Sequence, residues 1–154
     1  MNIKEIHDKQ EKIKISTSIL KSLPDWFGIP ESTQEYIKVS SKLPFFAAMD
    51  ESKPVGFISI KENNQYTAEI YVMGVLPDYH KQGIGRGLFN KVSDWSKENG
   101  YEFLQVKTLD ESHPDVYYAG TRKFYLSMGF KPLECFPELW GKENPCLIMI
   151  QHIG

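Results

Sequence analysis

From Val75 to Leu88 the chain reads Val-Leu-Pro-Asp-Tyr-His-Lys-Gln-Gly-Ile-Gly-Arg-Gly-Leu. Gly83, Gly85 and Gly87 stand beside two fixed cations, Lys81 and Arg86, where a strand-like run gives way to a helical period. These residue types suit the binding of a phosphate. The first amides of a helix have no partner within it, and the helix dipole is positive there. Glycine removes the Cβ atoms that would hold an anion away from those amides. Two familiar phosphate loops do not fit. The Walker pattern G-x-x-x-x-G-K-[ST] is absent. The dinucleotide pattern G-x-G-x-x-G fails at Leu88, and the segment follows an antiparallel meander rather than opening a βαβ unit. No G-x-S-x-G is present, so a nucleophile-elbow hydrolase is not indicated. His80 and His113 lack paired ligand spacing and there is no H-E-x-x-H, so no metal is expected.

A second pattern, Phe124-Tyr125-Leu126-Ser127-Met128-Gly129-Phe130, ends a helix at a glycine suited to a left-handed stop. Together the two patterns resemble the GCN5-related N-acetyltransferases (GNAT). The run His80-Lys81-Gln82-Gly83-Ile84-Gly85 is similar to that family's [QR]-x-x-G-x-[GA] pyrophosphate loop, with His80 at the departing first position. The helix end is similar to its "FYxxxGF" ending. The resemblance implies a central sheet with a splayed, V-shaped cleft and acetyl-CoA as acetyl-donor co-substrate, without a metal. The pyrophosphate is then expected on the amides of His80, Lys81, Gln82, Gly83, Ile84, Gly85, Arg86 and Gly87. The pantetheine arm is expected against Met73, Gly74 and Val75, with an amide near Val75 as oxyanion donor. The resemblance also implies Tyr125 as general acid to the thiolate and Glu69 as general base to the amine, through water. Tyr118 stands where many family members have an Asn that touches the cofactor, so that contact does not carry over.

These residues need elements to position them. Alternation over 12–18 predicts a strand, followed by helices over 18–28 and 31–42. Three strands over 45–49, 55–61 and 66–76 are joined by tight polar turns, which argues for antiparallel pairing. Gly74 within the third of them points to a bulge or a close backbone approach. A helix over 83–99 carries one apolar stripe: Ile84, Leu88, Phe89, Val92 and Trp95. A strand over 101–109, a helix over 115–128 and strands over 130–136 and 145–151 complete the order β-α-α-β-β-β-α-β-α-β-β. In the last helix Tyr118 and Tyr125 lie about 700° apart and share a face. Tyr117, Thr121, Phe124 and Met128 form a neighbouring stripe expected on the sheet. The fold class is mixed α/β (α+β): a single, mostly antiparallel sheet of about seven strands flanked by about four helices.

Composition bounds the rest. The 154 residues suit one domain, 1–154, and 41% hydrophobic with 25% charged residues is ordinary globular usage. The net charge of −2 excludes a basic whole-chain surface, so neither nucleic acid nor an anionic membrane is an expected partner. Cys135 and Cys146 are too few for a disulfide framework and read as reduced thiols. The charged N-terminus has no signal-peptide core, and there is no apolar run of about 18 residues, so the expected compartment is the cytoplasm.

The expected function is direct acetyl transfer to a primary amine, most readily on a small molecule. A catalytically silent CoA-binding sensor is the alternative, and another type of nucleotide-binding domain is a weaker third. The acceptor is left open among small amines, polyamines, aminoglycosides and protein amino groups, and a homodimer is expected by family habit alone. Asp110, Glu111 and Asp115 form an acidic cluster that either draws a cationic amine or is simply solvated. Trp140 either caps the sheet or lines the acceptor pocket, and the capping role is favoured because Trp is usually largely buried.

Overall fold

The computed structural model describes residues 2–154. Its strands are β1 (Asn2–Glu5), β2 (Phe45–Asp50), β3 (Lys53–Glu62), β4 (Thr67–Val75), β5 (Phe103–Leu109), β6 (Lys131–Phe136) and β7 (Cys146–His152). The helices are α1 (Lys9–Lys21), α2 (Pro30–Ser40), α3 (Ile84–Glu98) and α4 (Val116–Ser127), with a short 3-10 turn at Pro77–Tyr79. The strands form one sheet in the order β1-β2-β3-β4-β5-β7-β6. Every neighbouring pair is antiparallel except β4 with β5. The expected class and element order are both present.

Both faces of the sheet are covered. Along β2, Phe45, Ala47 and Met49 join Ile15, Ile19, Leu20 and Ile37 of α1 and α2. Phe46 and Ala48 turn to the other face, with Ile84, Leu88, Phe89 and Val92 of α3 and Tyr125 of α4. Side chains on a strand alternate between faces. A strand covered on both sides therefore reads as the continuous apolar run Phe-Phe-Ala-Ala-Met.

The N-terminal region departs from expectation. Residues 12–18 lie within α1 and not in a strand; the first strand is β1, at residues 2–5. The two-residue alternation Lys12-Ile13-Lys14-Ile15 is overridden by a longer helical stripe, for Ile15, Ser16, Ile19 and Leu20 are the buried positions. Asp8 caps the helix by accepting the Glu11 amide at 2.8 Å. The expected helix over 18–28 ends at Lys21, just before Pro24, and residues 22–29 form a loop. Cys135 and Cys146 are both free. They face Leu147 and Phe136 respectively across β6 and β7, so they occupy neighbouring rungs and opposite faces.

The end of α4 is fixed by Gly129, whose φ of 102° lies outside ordinary side-chain-bearing geometry. The Phe130 amide reaches back to the Tyr125 carbonyl at 3.1 Å. The Gln151 side chain donates to the Met128 carbonyl at 2.7 Å and fills the place a Cβ at 129 would take. Gly129→Ala is therefore expected to lower unfolding stability by more than about 1 kcal/mol, read by urea denaturation. An unchanged midpoint would contradict this reading of the stop.

Candidate active site

The site begins where the sheet comes apart. β4 and β5 pair in parallel only from Thr67–Phe103 to Ile70–Val106. Beyond that point β5 continues against β7, and β4 continues against β3. The β3–β4 register shifts between Ser59 and Ile60, which leaves Tyr71 as an extra residue. Such a bulge bends its strand and increases its twist. The predicted bulge thus exists, three residues before Gly74. Gly74 itself answers to the other expectation, a close approach: a Cβ there would lie 3.0 Å from Leu23 Cδ1 and 3.1 Å from Ile19 Cγ2. The Leu76 amide bonds the Val55 carbonyl at 2.9 Å, toward β3. Amide directions alternate along a strand, so Val75 and Met73 present their amides to the open gap.

The gap holds a cavity of about 550 Å³. Met73, Gly74 and Val75 form one wall, and His80, Lys81, Gly83, Ile84, Gly85 and Arg86 close one end. Lys81 and Gly83 both have positive φ, 63° and 81°. This turns the chain sharply into α3. Gly83 caps α3 without any side-chain bond, and the Gly87 amide is the first to join the helical ladder, at 3.0 Å from the Gly83 carbonyl. The amides of Ile84, Gly85 and Arg86 therefore stand free as the helix's first turn. Gly85 admits Phe124: a Cβ there would lie 3.1 Å from its ring.

Three residues expected to offer amides to the pyrophosphate depart from that: the His80 amide bonds the Pro77 carbonyl at 3.1 Å, the Gly87 amide bonds the Gly83 carbonyl at 3.0 Å, and Gln82 lies off the cavity. His80 turns its ring back on the strand, its Nε2 lying 2.7 Å from the Val75 carbonyl. A carbonyl only accepts, so Nε2 carries the proton. Gln82 donates its side-chain amide to the Asp78 carbonyl at 2.9 Å and does not line the cavity. Gly87 also lies off the cavity; a Cβ there would meet Ile3 Cδ1 at 2.6 Å, so it lets β1 pack under α3.

A second cavity, about 180 Å³, opens on the far side of Tyr125. Tyr125 lines both, together with Met73, Phe27 and Thr121. It is the one buried residue of α4. The stripe expected on the sheet, Tyr117, Thr121, Phe124 and Met128, lines the larger cavity, and of it Phe124 and Met128 also pack against the core. The face shared by Tyr118 and Tyr125 is the inner one, and both line the second cavity. Burial pushes the Tyr125 phenol well above its ordinary pKa, and Tyr118 and Tyr36 raise it further. The same cause, burial, pushes Tyr118 and Tyr71 up to about 12.

Glu69 lines the second cavity and is 4% exposed. Its Oε1 accepts from Asn63 Nδ2 at 3.0 Å and Gln105 Nε2 at 2.7 Å. Its Oε2 lies 3.6 Å from Lys107 Nζ and 4.0 Å from Lys61 Nζ. Trp140 lines this cavity too and is 40% exposed. The acidic cluster stays off both cavities. Asp115 caps α4 by accepting the Tyr117 and Tyr118 amides, and Asp110 accepts the Ser112 amide at 3.0 Å.

A split parallel pair, free helix amides at its mouth and a buried tyrosine between two cavities agree with the sequence comparison. The Acetyltransferase (GNAT) family model matches residues 14–130. The chain belongs to this family. Streptothricin acetyltransferase A of Bacillus subtilis (strain 168) is 33% identical over 75 residues, which are 49% of this chain and 43% of that one. The chain spans less than half the length of the curated relatives it matches. Among solved structures, an aminoglycoside 6'-N-acetyltransferase complexed with coenzyme A is 20% identical, with TM-score 0.76 and coverage of 100% and 98%. The ribosomal-protein-S18-alanine N-acetyltransferase from Escherichia coli is 19% identical, with TM-score 0.75 and coverage of 99% and 94%. At these identities the likeness is one of fold, and the two names show that the fold alone does not fix the acceptor.

Within this GNAT cleft, the sequence reading missed the loop over 22–29. Trp26 spans the cavity mouth: its Nε1 donates to Thr121 Oγ1 at 3.2 Å, and its ring meets Tyr117 and His80 edge-on at 5.1 and 5.8 Å. Tyr118, at the position of the missing Asn, donates its hydroxyl to the Trp26 carbonyl at 2.9 Å. Nothing local in the sequence ties Trp26 to a helix 92 residues later. Removing one such bond costs about 1 kcal/mol. Tyr118→Phe is expected to speed hydrogen exchange at the Trp26 and Phe27 amides about fivefold, leaving the α3 amides unaffected. Equal exchange in the two proteins would show that Tyr118 does not hold the loop.

Proposed function

We propose that this chain is an acetyl-CoA-dependent N-acetyltransferase that moves acetyl directly to a primary amine of a small molecule. The observation that carries the reading is the position of Tyr125, in the wall shared by a long cavity with free amides and a compact cavity with a carboxylate. The long cavity takes the cofactor. Its pyrophosphate sits on the amides of Ile84, Gly85 and Arg86, with Lys81 and Arg86 as counter-charges. Its pantetheine arm runs along the open edge of β4, accepting from the Met73 and Val75 amides in place of the strand that β5 does not supply.

The acceptor's free amine attacks the thioester carbonyl carbon from the second cavity. A C–N bond forms, the C–S bond breaks, and the carbonyl oxygen gathers charge that the Val75 amide stabilises. The amine loses its proton to Glu69 through water, and the departing sulfur takes up a proton. Atoms and charge balance: ammonium plus acetyl-CoA gives amide, free CoA thiol and one proton. Tyr125 is the proton source at the sulfur. Burial keeps the phenol protonated, so it donates a hydrogen bond as charge accumulates on sulfur; a thiolate formed in the same buried site is destabilised for the same reason, which brings the two proton affinities close enough for transfer.

Support for a small-molecule acceptor comes from the size of the second cavity and from relatives named for streptothricin and for an aminoglycoside. Among the described residues no helix is long and apolar enough to cross a membrane.

Calorimetric titration tests the cofactor step: acetyl-CoA is expected to bind saturably, and no heat at millimolar ligand would overturn the reading. Tyr125→Phe is expected to lower kcat about a hundredfold, with acetyl-CoA affinity within about twofold. Because Tyr125 is raised, wild-type kcat should show no alkaline limb attributable to it below about pH 10. An alkaline limb near pH 9 that vanishes in Tyr125→Phe would contradict the raised phenol.

A further inference from the structure

The second cavity carries charges that the transfer chemistry does not require. Lys61, on β3, and Lys107, on β5, both line it and flank Glu69. They are about one third exposed, at 34% and 28% of their side chains. Glu69 Oε1 accepts two side-chain amides, whereas among the described residues Oε2 accepts no hydrogen bond and faces both ammoniums. Neither Lys61 nor Lys107 makes a hydrogen bond to a described residue; the shared Glu69 oxygen stands at 4.0 and 3.6 Å. Lys61 also lies over the Tyr71 ring, 5.9 Å from its centre. The lining therefore holds two cations against one anion.

Two further observations point to an occupant. The Thr108 hydroxyl lines the cavity, is buried, and has no hydrogen-bond partner. A buried hydroxyl left alone is unfavourable unless something in the cavity bonds it. Tyr36 and Tyr71, edge to face at 5.5 Å, place two phenols beside Lys61, and burial keeps both protonated and able to donate. The other charge acting on Tyr71 is Glu35, exposed on α2 outside the lining. The volume, about 180 Å³, equals that of roughly six waters in the liquid. That is room for a compact polar head, with the rest of a larger acceptor extending out of the open mouth.

We propose that this cavity selects a small zwitterion: a primary amine that carries a carboxylate, its ammonium drawn to Glu69 and its carboxylate to Lys61 and Lys107. The inference rests on the acetyltransferase reading above. It opposes a polycation, which would set further ammoniums against Lys61 and Lys107 with no acid to spare. It equally opposes an amine whose carboxyl is blocked, since the two ammoniums then share only the one Glu69 oxygen. Specificity of this kind comes from what the wrong acceptor leaves unsatisfied.

The test measures CoA thiol release from acetyl-CoA with α-amino acids, with ω-amino acids of increasing length, and with the carboxamide of each. Spermidine, an aminoglycoside and an alanine-initiated peptide are run beside them. At least one free acid is expected to exceed its own carboxamide in kcat/KM by about tenfold or more, the scale of one charge-assisted contact. Lys107→Met and Lys61→Met are each expected to shrink that ratio toward one by raising KM for the acid, with KM for acetyl-CoA unchanged. Both variants are checked for a native thermal transition, and either one alone suffices. A carboxamide, the peptide or a polycation preferred over every acid would overturn the inference. So would saturable acetyl-CoA binding with no acid acetylated, which leaves the acetyltransferase reading standing. Failure to bind acetyl-CoA at all would overturn that reading and this one with it.

Discussion

The parallel pairing of β4 with β5 stops after Ile70 and Val106, and the rest of the site follows from that break. A sheet interior normally satisfies every backbone amide. Here the pairing ends inside the sheet, so β4 keeps an edge where other sheets have none. The bulge at Tyr71 sits at the point of divergence and supplies the bend. The break is tolerable because both strands remain anchored on their outer sides, β4 to β3 and β5 to β7, and because helices cover both faces. What results is a largely apolar slot, closed at one end by the first turn of α3 and roofed by Trp26.

Two electrostatic environments meet at Tyr125. At the larger cavity the positive character is largely backbone: free amides and the α3 dipole, with Lys81 and Arg86 exposed at the rim. At the smaller cavity it comes from two side chains that outnumber Glu69. A chain of net charge −2 thus gathers cations at the two ends of one proposed reaction path. The tyrosine between them is buried and uncharged, which keeps its proton in place.

Much of this was legible in the sequence because it is local. The β-α-α-β-β-β-α-β-α-β-β order, the Gly83–Gly85 turn and the helix stop at Gly129 are each written in a few adjacent residues. Residues 12–18 misled because Lys-Ile-Lys-Ile satisfies a two-residue period while the longer stripe through Ile15, Ile19 and Leu20 sets the fold. The bulge was placed at Gly74 because glycine is its usual marker; Tyr71 occupies it instead, and Gly74 makes room for α1. The Trp26 roof and the Lys61–Glu69–Lys107 grouping could not be read, although Glu69 alone was legible. Trp26 meets Thr121 across a sequence separation of 95, and strand register is what sets Lys61 and Lys107 about Glu69. Lys61 and Gln105 are the cross-strand neighbours of Glu69, a pairing that exists only once β3, β4 and β5 are aligned.

The central claim is that the open edge of β4 receives the cofactor. Residue-resolved amide hydrogen exchange of Met73 and Val75, with and without acetyl-CoA, tests it most directly. The account predicts strong slowing at these two amides on cofactor binding, with Gly74, already paired to β3, changed far less. Saturable cofactor binding that leaves Met73 and Val75 exchanging at their free rates would contradict it.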